Sequence, residues 1–315
     1  MNENRATSLQ FDHNGKLRHL ITLTGLPRTV LESILDRAEH FVHAETAPPP
    51  CHPNLSVALL FSEASTRTRV SFSLAAWRLG YPVINLEPSQ SSLAKSETLE
   101  DTVSTLEAMG IRFLVMRHAQ SGIFNTLLDP PDRAIHCISA GESHQSHPTQ
   151  GLLDLLTIRQ HFPDLAGLSV AIVGDLAHSR VARSTFTALR TFGVTDIRLS
   201  APPELEPDPA DFHGASNQTL DQALEGIQLV IALRVQSERL AKPSTIDPAR
   251  YFATYGLTSE RLKSCHPDVR IMHPGPIHPG MELASDLING PRSLIRQQVR
   301  NGVPIRMAVY EELRS

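Results

Sequence analysis

Residues 56–80 read SVALLFSEASTRTRVSFSLAAWRLG, and this stretch decides the fold. An apolar run that ends at Phe61 is typical of a buried strand, and a helical pattern follows from about Ser65 to Leu79, where Gly80 stops it. Strands without a polar face are typical of parallel sheets that helices cover on both sides. The stretch therefore predicts one strand-helix unit of an α/β protein.

The same alternation of strand and helix continues along the rest of the chain. It predicts strands at about 83–86, 112–116, 134–138, 169–173, 196–199, 229–233 and 269–272, and helices at about 97–109 and 178–192. A further helix at 147–156 is predicted to bridge the two halves, and Pro-rich surface loops are predicted at 48–50 and 201–209. With 315 residues the chain is long for a single core. The predicted fold is α/β, with two doubly wound parallel-sheet domains joined by interdomain helices.

The composition argues against several classes of partner. A net charge of −4 gives no bulk electrostatic reason to bind nucleic acid or an anionic membrane. The three cysteines lie far apart, without metal-ligand spacing or a disulfide framework, which indicates a reducing compartment. The first residues contain no apolar signal core, and no apolar run approaches membrane-spanning length. We expect a cytoplasmic protein that uses no metal and binds neither nucleic acid nor a membrane.

Hydroxyl and guanidinium groups follow the first strand, where ligands bind in such folds. Residues 65–69, here called the anion cradle, read Ser-Thr-Arg-Thr-Arg at the start of the predicted helix. A helix start offers backbone N–H groups to an anion, and the arginine fork suits phosphate oxygens. An N-cap serine followed by exposed arginines is the alternative. The Gly-rich patterns of nucleotide and dinucleotide sites are absent, so the anion is expected on a small molecule.

Residues 61–72 resemble the carbamoyl-phosphate signature of the aspartate and ornithine carbamoyltransferases. The similarity extends from about Arg18 to about Val309. It implies a carbamoyl-phosphate-binding domain at 1–146, completed by a C-terminal helix at 291–315, and a second-substrate domain at 147–290. It also implies a reaction that needs no cofactor.

Two further segments match this family. Met116-Arg117-His118 ends a predicted strand, and His147-Pro148-Thr149-Gln150 opens the bridging helix. Either segment can be purely structural, although both lie where ligands bind in such sheets. The resemblance implies that Gln150 contacts the carbamoyl nitrogen and that backbone at Pro274 and Gly275 contacts the substrates. It assigns phosphate binding to Ser65, Thr66 and Arg67, donation to the carbonyl oxygen to Thr68, Arg117 and His147, and catalysis to Arg67, Thr68, Arg117 and His147.

The segment at 91–97, Ser-Ser-Leu-Ala-Lys-Ser-Glu, is ambiguous from the residues alone. It fits a solvated loop that caps the next helix. In the family, the corresponding loop reaches into the active site of the neighbouring subunit. The resemblance therefore implies a homotrimer with shared active sites, in which Ser92 contacts carbamoyl phosphate and Lys95 contacts the second substrate. Ser96 stands where the family usually has glycine.

The second half carries arginines that suit a dicarboxylate. Arg180 and Arg234 follow predicted strands, and although arginine is usually exposed, a pair of them can bind two carboxylates. Residues 234–236, Arg-Val-Gln, resemble the aspartate-recognition motif, and residues 273–276, His-Pro-Gly-Pro, resemble the aspartate-type version of a later motif. The resemblance implies that L-aspartate is bound by Arg180, Arg234, Gln236, Gly275 and Pro276.

The chain departs from the family after residue 277. The family commonly continues Asn-Arg-Gly, whereas this chain reads His278-Pro279-Gly280. We expect the change to alter a surface or interdomain contact rather than the substrate ligands.

The resemblance implies carbamoyl transfer to aspartate in pyrimidine biosynthesis. Two alternatives remain open: a carbamoyltransferase for another amino acid such as ornithine, and a non-catalytic homologue that serves as a scaffold subunit. The sequence also leaves open whether a regulatory chain or a dihydroorotase joins the trimer.

Overall fold

The protein is described by a computed structural model that covers residues 8–44, 51–88, 97–128, 133–236 and 246–314. The chain divides into two compact units, which are Met1–Leu156 with Asn301–Ser315 (unit 1) and Thr157–Arg300 (unit 2). The sequence predicted two substrate-binding domains with boundaries at 146/147 and 290/291. These boundaries stay a prediction.

Unit 1 is built on a parallel sheet. Its elements are α1 (Arg28–His43), β1 (Val57–Phe61), α2 (Thr66–Arg78), β2 (Val83–Leu86), α3 (Leu99–Ala108), β3 (Phe113–His118), α4 (Ile123–Leu127) and β4 (His136–Glu142). The strands that the structure describes lie in the order β2-β1-β3-β4. All residues of β1 are buried, as expected for a strand that is covered on both faces.

Two helices continue from one unit into the other. The chain leaves unit 1 within α5 (Pro148–Arg159). It returns within the last helix, α10 (Ile295–Arg314), which follows the elements of unit 2. The predicted bridging helix is thus confirmed as an element that contains the boundary between the units.

Unit 2 repeats the topology of unit 1. Its elements are β5 (Ser169–Val173), α6 (Arg180–Thr191), β6 (Asp196–Ser200), α7 (Leu220–Leu224), β7 (Leu229–Ala232), α8 (Pro248–Tyr255), β8 (Arg270–Met272) and α9 (Ser285–Ile288). The described strands pair in parallel in the order β6-β5-β7-β8. The predicted α/β fold with two parallel-sheet domains is therefore confirmed.

The strand order fixes where each unit can bind a ligand. In unit 1 the chain winds outward from β1 to β2 and then crosses to β3 on the other side, so the direction of winding reverses between β1 and β3. The same reversal lies between β5 and β7 in unit 2. Crevices at the carboxyl ends of two such strands are the usual ligand sites of open α/β sheets.

The structure adds local features that the sequence did not predict. The buried residues of helix α1 recur at helical spacing, and they are Leu31, Ile34, Leu35 and Ala38. The stretch 201–209, predicted to be a surface loop, contains a 3-10 turn at Pro203–Leu205 whose Leu205 is fully buried. The predicted loop at 48–50 lies outside the described residues.

Candidate active site

The anion cradle opens α2 directly beyond the carboxyl end of β1. Ser65 is the residue before the helix, and its backbone is extended. Among the described groups its hydroxyl caps no backbone N–H of α2. It accepts a hydrogen bond from Arg117 Nη1 at 3.3 Å instead. The simple helix-cap alternative for Ser65 therefore does not apply.

Arg117 connects the end of β3 to the cradle. Its Nε donates to Glu63 Oε2 at 3.1 Å, and its backbone carbonyl accepts from both the backbone N–H and the hydroxyl of Ser62, at 3.0 and 2.9 Å. The Arg117 and Glu63 side chains are mostly buried, which strengthens their ion pair relative to a surface pair. The structure thus gathers Arg117 and Ser65, which are far apart in sequence, at the β1/β3 reversal.

The remaining cradle residues differ in exposure. Thr66 and Arg67 are exposed and Thr68 is buried within the first turn of α2. Arg69 pairs with Glu87, and its guanidinium lies 5.3 Å from the centre of the Phe61 ring. Arg69 therefore makes a structural contact, and Arg67 is the more exposed of the two cradle arginines.

The start of α5 supplies the other predicted groups of unit 1. His147 precedes the helix and is buried, and its carbonyl accepts from the backbone N–H of Gln150 at 2.9 Å. The side chain of Gln150 is half-buried, and its Nε2 donates to Asp154 Oδ1 at 2.9 Å. Asp154 was not among the predicted site residues, although it lies one helical turn from Gln150.

The predicted contributors from a neighbouring subunit, Ser92 and Lys95, lie outside the described residues, as does Ser96. Their positions stay predictions.

Unit 2 brings together the segments that follow β5 and β7. Gly174 directly follows β5 with φ of +126°, and a Cβ there would lie 2.8 Å from the carbonyl oxygen of Leu233. Glycine therefore allows the two segments to approach each other. The next residue, Asp175, is fully buried, and its Oδ2 accepts from the backbone N–H of Gln236 at 3.0 Å.

Asp175 also holds the turn before α6. Its Oδ1 accepts from the backbone N–H of His178 at 3.1 Å and lies 2.8 Å from His178 Nδ1. The Nε2 of Gln236 donates to the His178 carbonyl at 2.9 Å. One buried carboxylate thus fixes the segments that carry two predicted aspartate ligands, Gln236 and Arg180.

The predicted arginines of unit 2 lie at the expected strand ends. Arg180 is the first residue of α6 and is buried, and the hydroxyl of Ser179 caps that helix by accepting from Ala182 N at 3.0 Å. Arg234 is half-buried and follows β7. Guanidinium groups at the β5/β7 reversal are suited to binding carboxylates.

A second buried carboxylate holds the segment after β7 from its other side. Glu282 Oε1 accepts from Val235 N at 3.1 Å, and Oε2 accepts from His278 N at 2.7 Å. Burial raises the pKa of Glu282, while the bonds from these two N–H groups and the His278 charge lower it. His278 Nδ1 lies 3.1 Å from Oε1. His278 is therefore linked through the Glu282 carboxylate to the segment that carries Arg234. This places His278 closer to the predicted ligands than the surface or interdomain contact that the sequence suggested.

The motif at 273–276 forms a compact turn. The backbone N–H of Gly275 donates to His273 Nδ1 at 2.8 Å, and the peptide bond between Gly275 and Pro276 is cis. His273 N donates to Gln298 Oε1 at 3.1 Å. The backbone of Pro274 and Gly275 is thus held from within unit 2.

The part of the chain that the structure describes contains neither a cluster of metal ligands nor a membrane-spanning helix. Among the described residues, no group of three or more His, Cys, Asp or Glu side chains has the arrangement of a metal site. Within the same residues, no helix has both the length and the apolar character required to cross a membrane.

Two models of one protein family together match nearly the whole chain. Residues 18–160 match the family model for the aspartate/ornithine carbamoyltransferase carbamoyl-P binding domain. Residues 166–313 match the model for the Asp/Orn binding domain of the same family. The chain belongs to the aspartate/ornithine carbamoyltransferase family.

The similar members of this family include proteins named for aspartate and proteins named for ornithine. The chain is 45% identical over 313 residues to the aspartate carbamoyltransferase catalytic subunit of Stenotrophomonas maltophilia, which covers 98% of this chain and 99% of that protein. Its structure resembles ornithine carbamoyltransferase from Thermus thermophilus, with a TM-score of 0.80, 26% identity and coverage of 94% and 99%.

The structure resembles an aspartate enzyme of the family to the same degree. Aspartate transcarbamoylase from Trypanosoma cruzi, in complex with carbamoyl aspartate and phosphate, gives a TM-score of 0.80, 26% identity and coverage of 95% and 96%. Backbone similarity therefore does not distinguish the amino-acid substrate.

Proposed function

We propose that this chain transfers the carbamoyl group of carbamoyl phosphate to the amino group of L-aspartate. The products are N-carbamoyl-L-aspartate and phosphate, in pyrimidine biosynthesis. The observation that carries the proposal is the 45% identity, over nearly the full length of both chains, to an aspartate carbamoyltransferase catalytic subunit. The accessible Arg67 and the Arg117–Ser65 contact support a phosphate site, and Arg180 and Arg234 support a dicarboxylate site.

The anion cradle binds the phosphate in this mechanism. Ser65, Thr66 and Arg67 donate to phosphate oxygens, and the first turn of α2 adds backbone N–H groups. When carbamoyl phosphate binds, Arg117 exchanges its contacts with Glu63 and Ser65 for the carbonyl oxygen of the substrate. The ion pair with Glu63 keeps Arg117 at the site until then.

The transition state explains the other polar groups of unit 1. The amine of aspartate attacks the carbonyl carbon, a C–N bond forms, and the bond from carbon to the phosphate oxygen breaks. Negative charge develops on the carbonyl oxygen, where Thr68, Arg117 and His147 donate. Gln150 accepts from the carbamoyl nitrogen, and the departing phosphate takes the proton of the amine.

The aspartate site uses groups of unit 2. Arg180 and Arg234 bind the two carboxylates of L-aspartate, Gln236 contributes a hydrogen bond, and the backbone at 274–276 contacts both substrates. Asp175 and Glu282 support this site because each accepts from a backbone N–H at 235–236.

The proposed assembly and compartment rest on the resemblance to the family. We propose a homotrimer in the cytoplasm, in which Ser92 and Lys95 of a neighbouring subunit complete each site. A regulatory chain or a dihydroorotase is a candidate partner for such a trimer. No part of the proposal involves nucleic acid or a membrane.

A steady-state assay tests this function. Purified protein is given carbamoyl phosphate with either L-aspartate or L-ornithine, and the carbamoylated amino acid is quantified alongside the mass of the protein in solution. We expect N-carbamoyl-L-aspartate and the mass of a trimer. Faster carbamoylation of ornithine would contradict the substrate assignment, and no transfer to either amino acid would indicate a non-catalytic subunit.

A further inference from the structure

Asp154 is a buried acidic residue that the mechanism above does not use. It lies on α5, four residues after Gln150, and its side chain is fully buried. Residues four apart lie on the same face of a helix, where a glutamine and an aspartate can pair. The pair is formed here, because Gln150 Nε2 donates to Asp154 Oδ1 at 2.9 Å.

This hydrogen bond determines which end of the Gln150 amide is available to a substrate. An ionised carboxylate only accepts hydrogen bonds, so it can pair with the amide NH₂ and not with the amide oxygen. With Nε2 bound to Asp154, the Oε1 atom is the end that can face a ligand. The nitrogen of a carbamoyl group carries N–H donors, so an oxygen acceptor is the atom that it requires.

A buried cation accompanies the carboxylate. Arg306 on α10 is fully buried, its guanidinium lies 4.8 Å from the centre of the Phe72 ring, and its Nη1 donates to the Gly302 carbonyl at 2.9 Å. Burial lowers the pKa of Arg306 to about 10, while Tyr310 and then Asp154 raise it. Arg306 is therefore charged at neutral pH, and Asp154 is one of the groups that stabilise this buried charge.

We propose that Asp154 is a positioning residue, which orients the Gln150 amide so that the site selects a carbamoyl group over acyl groups that lack an N–H donor. This inference rests on the proposed function, because it assumes that Gln150 faces the carbamoyl nitrogen. Acetyl phosphate is the matched probe. It carries a methyl group in place of the amino group and keeps the phosphate.

The test compares three ligands in the intact enzyme. The KM of carbamoyl phosphate is measured at saturating L-aspartate, and acetyl phosphate and inorganic phosphate are measured as inhibitors against it. In Asp154→Asn, the neutral amide can donate to Gln150 Oε1 as well as accept from Nε2, so the substrate-facing end is no longer fixed. We expect the preference for carbamoyl over acetyl phosphate to fall roughly 3- to 10-fold, which corresponds to the loss of one hydrogen bond. Inhibition by inorganic phosphate should not change.

Two further variants separate positioning from a general structural role. Gln150→Leu should lose the same preference, and adding Asp154→Asn to it should cause no further loss of preference, because both changes remove the same hydrogen bond. Asp268→Asn is the control, since it makes the same chemical change at an exposed position of unit 2. If Asp154→Asn does not fold, Asp154→Ser repeats the test with a smaller neutral group.

The outcomes distinguish this inference from the proposed function. A wild-type protein that does not carbamoylate aspartate contradicts the proposed function itself. An active wild type whose Asp154 variant weakens all three ligands equally, or keeps its preference, overturns the positioning role. Losses of preference that add in the double variant overturn it as well.

Discussion

The two proposed substrate sites lie at equivalent reversals of two similar sheets, but their residues are held in different ways. In unit 1 the predicted ligands contact one another directly, because Arg117 donates to Ser65 of the cradle. In unit 2 the predicted ligands lie in or beside a backbone segment whose N–H groups donate to two buried carboxylates. Asp175 accepts from Gln236 N, and Glu282 accepts from Val235 N.

Because of this difference, the effect of a substitution is easier to assign to one role in unit 2 than in unit 1. In unit 1, substitution of Arg117 removes a proposed ligand and disturbs its neighbours at once. In unit 2 the proposed ligand Arg234 and the supporting group Glu282 are different residues, so binding and support can be altered separately. The comparison therefore predicts a graded series of effects.

The largest expected effect is in unit 1. Arg117→Ala should lower kcat by about 10²–10³, because a donor to the charge that develops on the carbonyl oxygen is lost. Steady-state kinetics with both substrates measures it. Arg112→Ala is the control, since Arg112 precedes the same strand at its other end and donates to the Ala134 carbonyl at 3.0 Å. A variant that keeps kcat and changes only the KM of carbamoyl phosphate would limit Arg117 to binding.

A smaller effect is expected from the ligand of unit 2. Arg234→Ala should raise the KM of L-aspartate roughly 10- to 100-fold, which corresponds to one hydrogen bond to a charged group. The KM of carbamoyl phosphate serves as the internal reference and should stay nearly constant. Arg296→Ala, at an exposed position of α10, is the matched control. An equal rise in both KM values would argue against a separate aspartate site.

The smallest effect is expected from the supporting carboxylate. Glu282→Gln leaves one acceptor oxygen for two backbone N–H groups, at Val235 and His278, so the segment of Arg234 is held less firmly. We expect the KM of L-aspartate to rise about 3- to 10-fold. Glu260→Gln, at an exposed position of the same unit, is the control. A larger effect than that of Arg234→Ala would reverse the proposed roles of ligand and support.

The sequence predicted the strands better than the helices. The runs at 57–61 and 170–173 are apolar throughout, because both faces of a parallel sheet are covered, and they form strands as expected. The helix α1 was missed although its buried residues follow helical spacing. The short α7 was missed too, although Thr219 and Gln222 form a capping box at its start.

The site was predictable only where its residues are contiguous. The cradle could be read directly, because its hydroxyls and guanidiniums follow one another after a buried strand. Asp175 and Glu282 could not, since each acts by accepting backbone N–H groups from segments distant in sequence. Asp154 is intermediate: its spacing from Gln150 was visible, but its burial and its pairing required the structure.

We propose that unit 1 binds the phosphate-bearing substrate and unit 2 the dicarboxylate substrate of one reaction. Calorimetric titration with N-(phosphonacetyl)-L-aspartate, which joins a phosphonate and a dicarboxylate, tests this proposal most directly, with phosphonoacetate and succinate as the separate halves. We expect the joined compound to bind far more tightly than either half. Arg117→Ala should weaken the joined compound and phosphonoacetate, and Arg234→Ala the joined compound and succinate. A joined compound that binds wild type no more tightly than one of its halves would contradict the account.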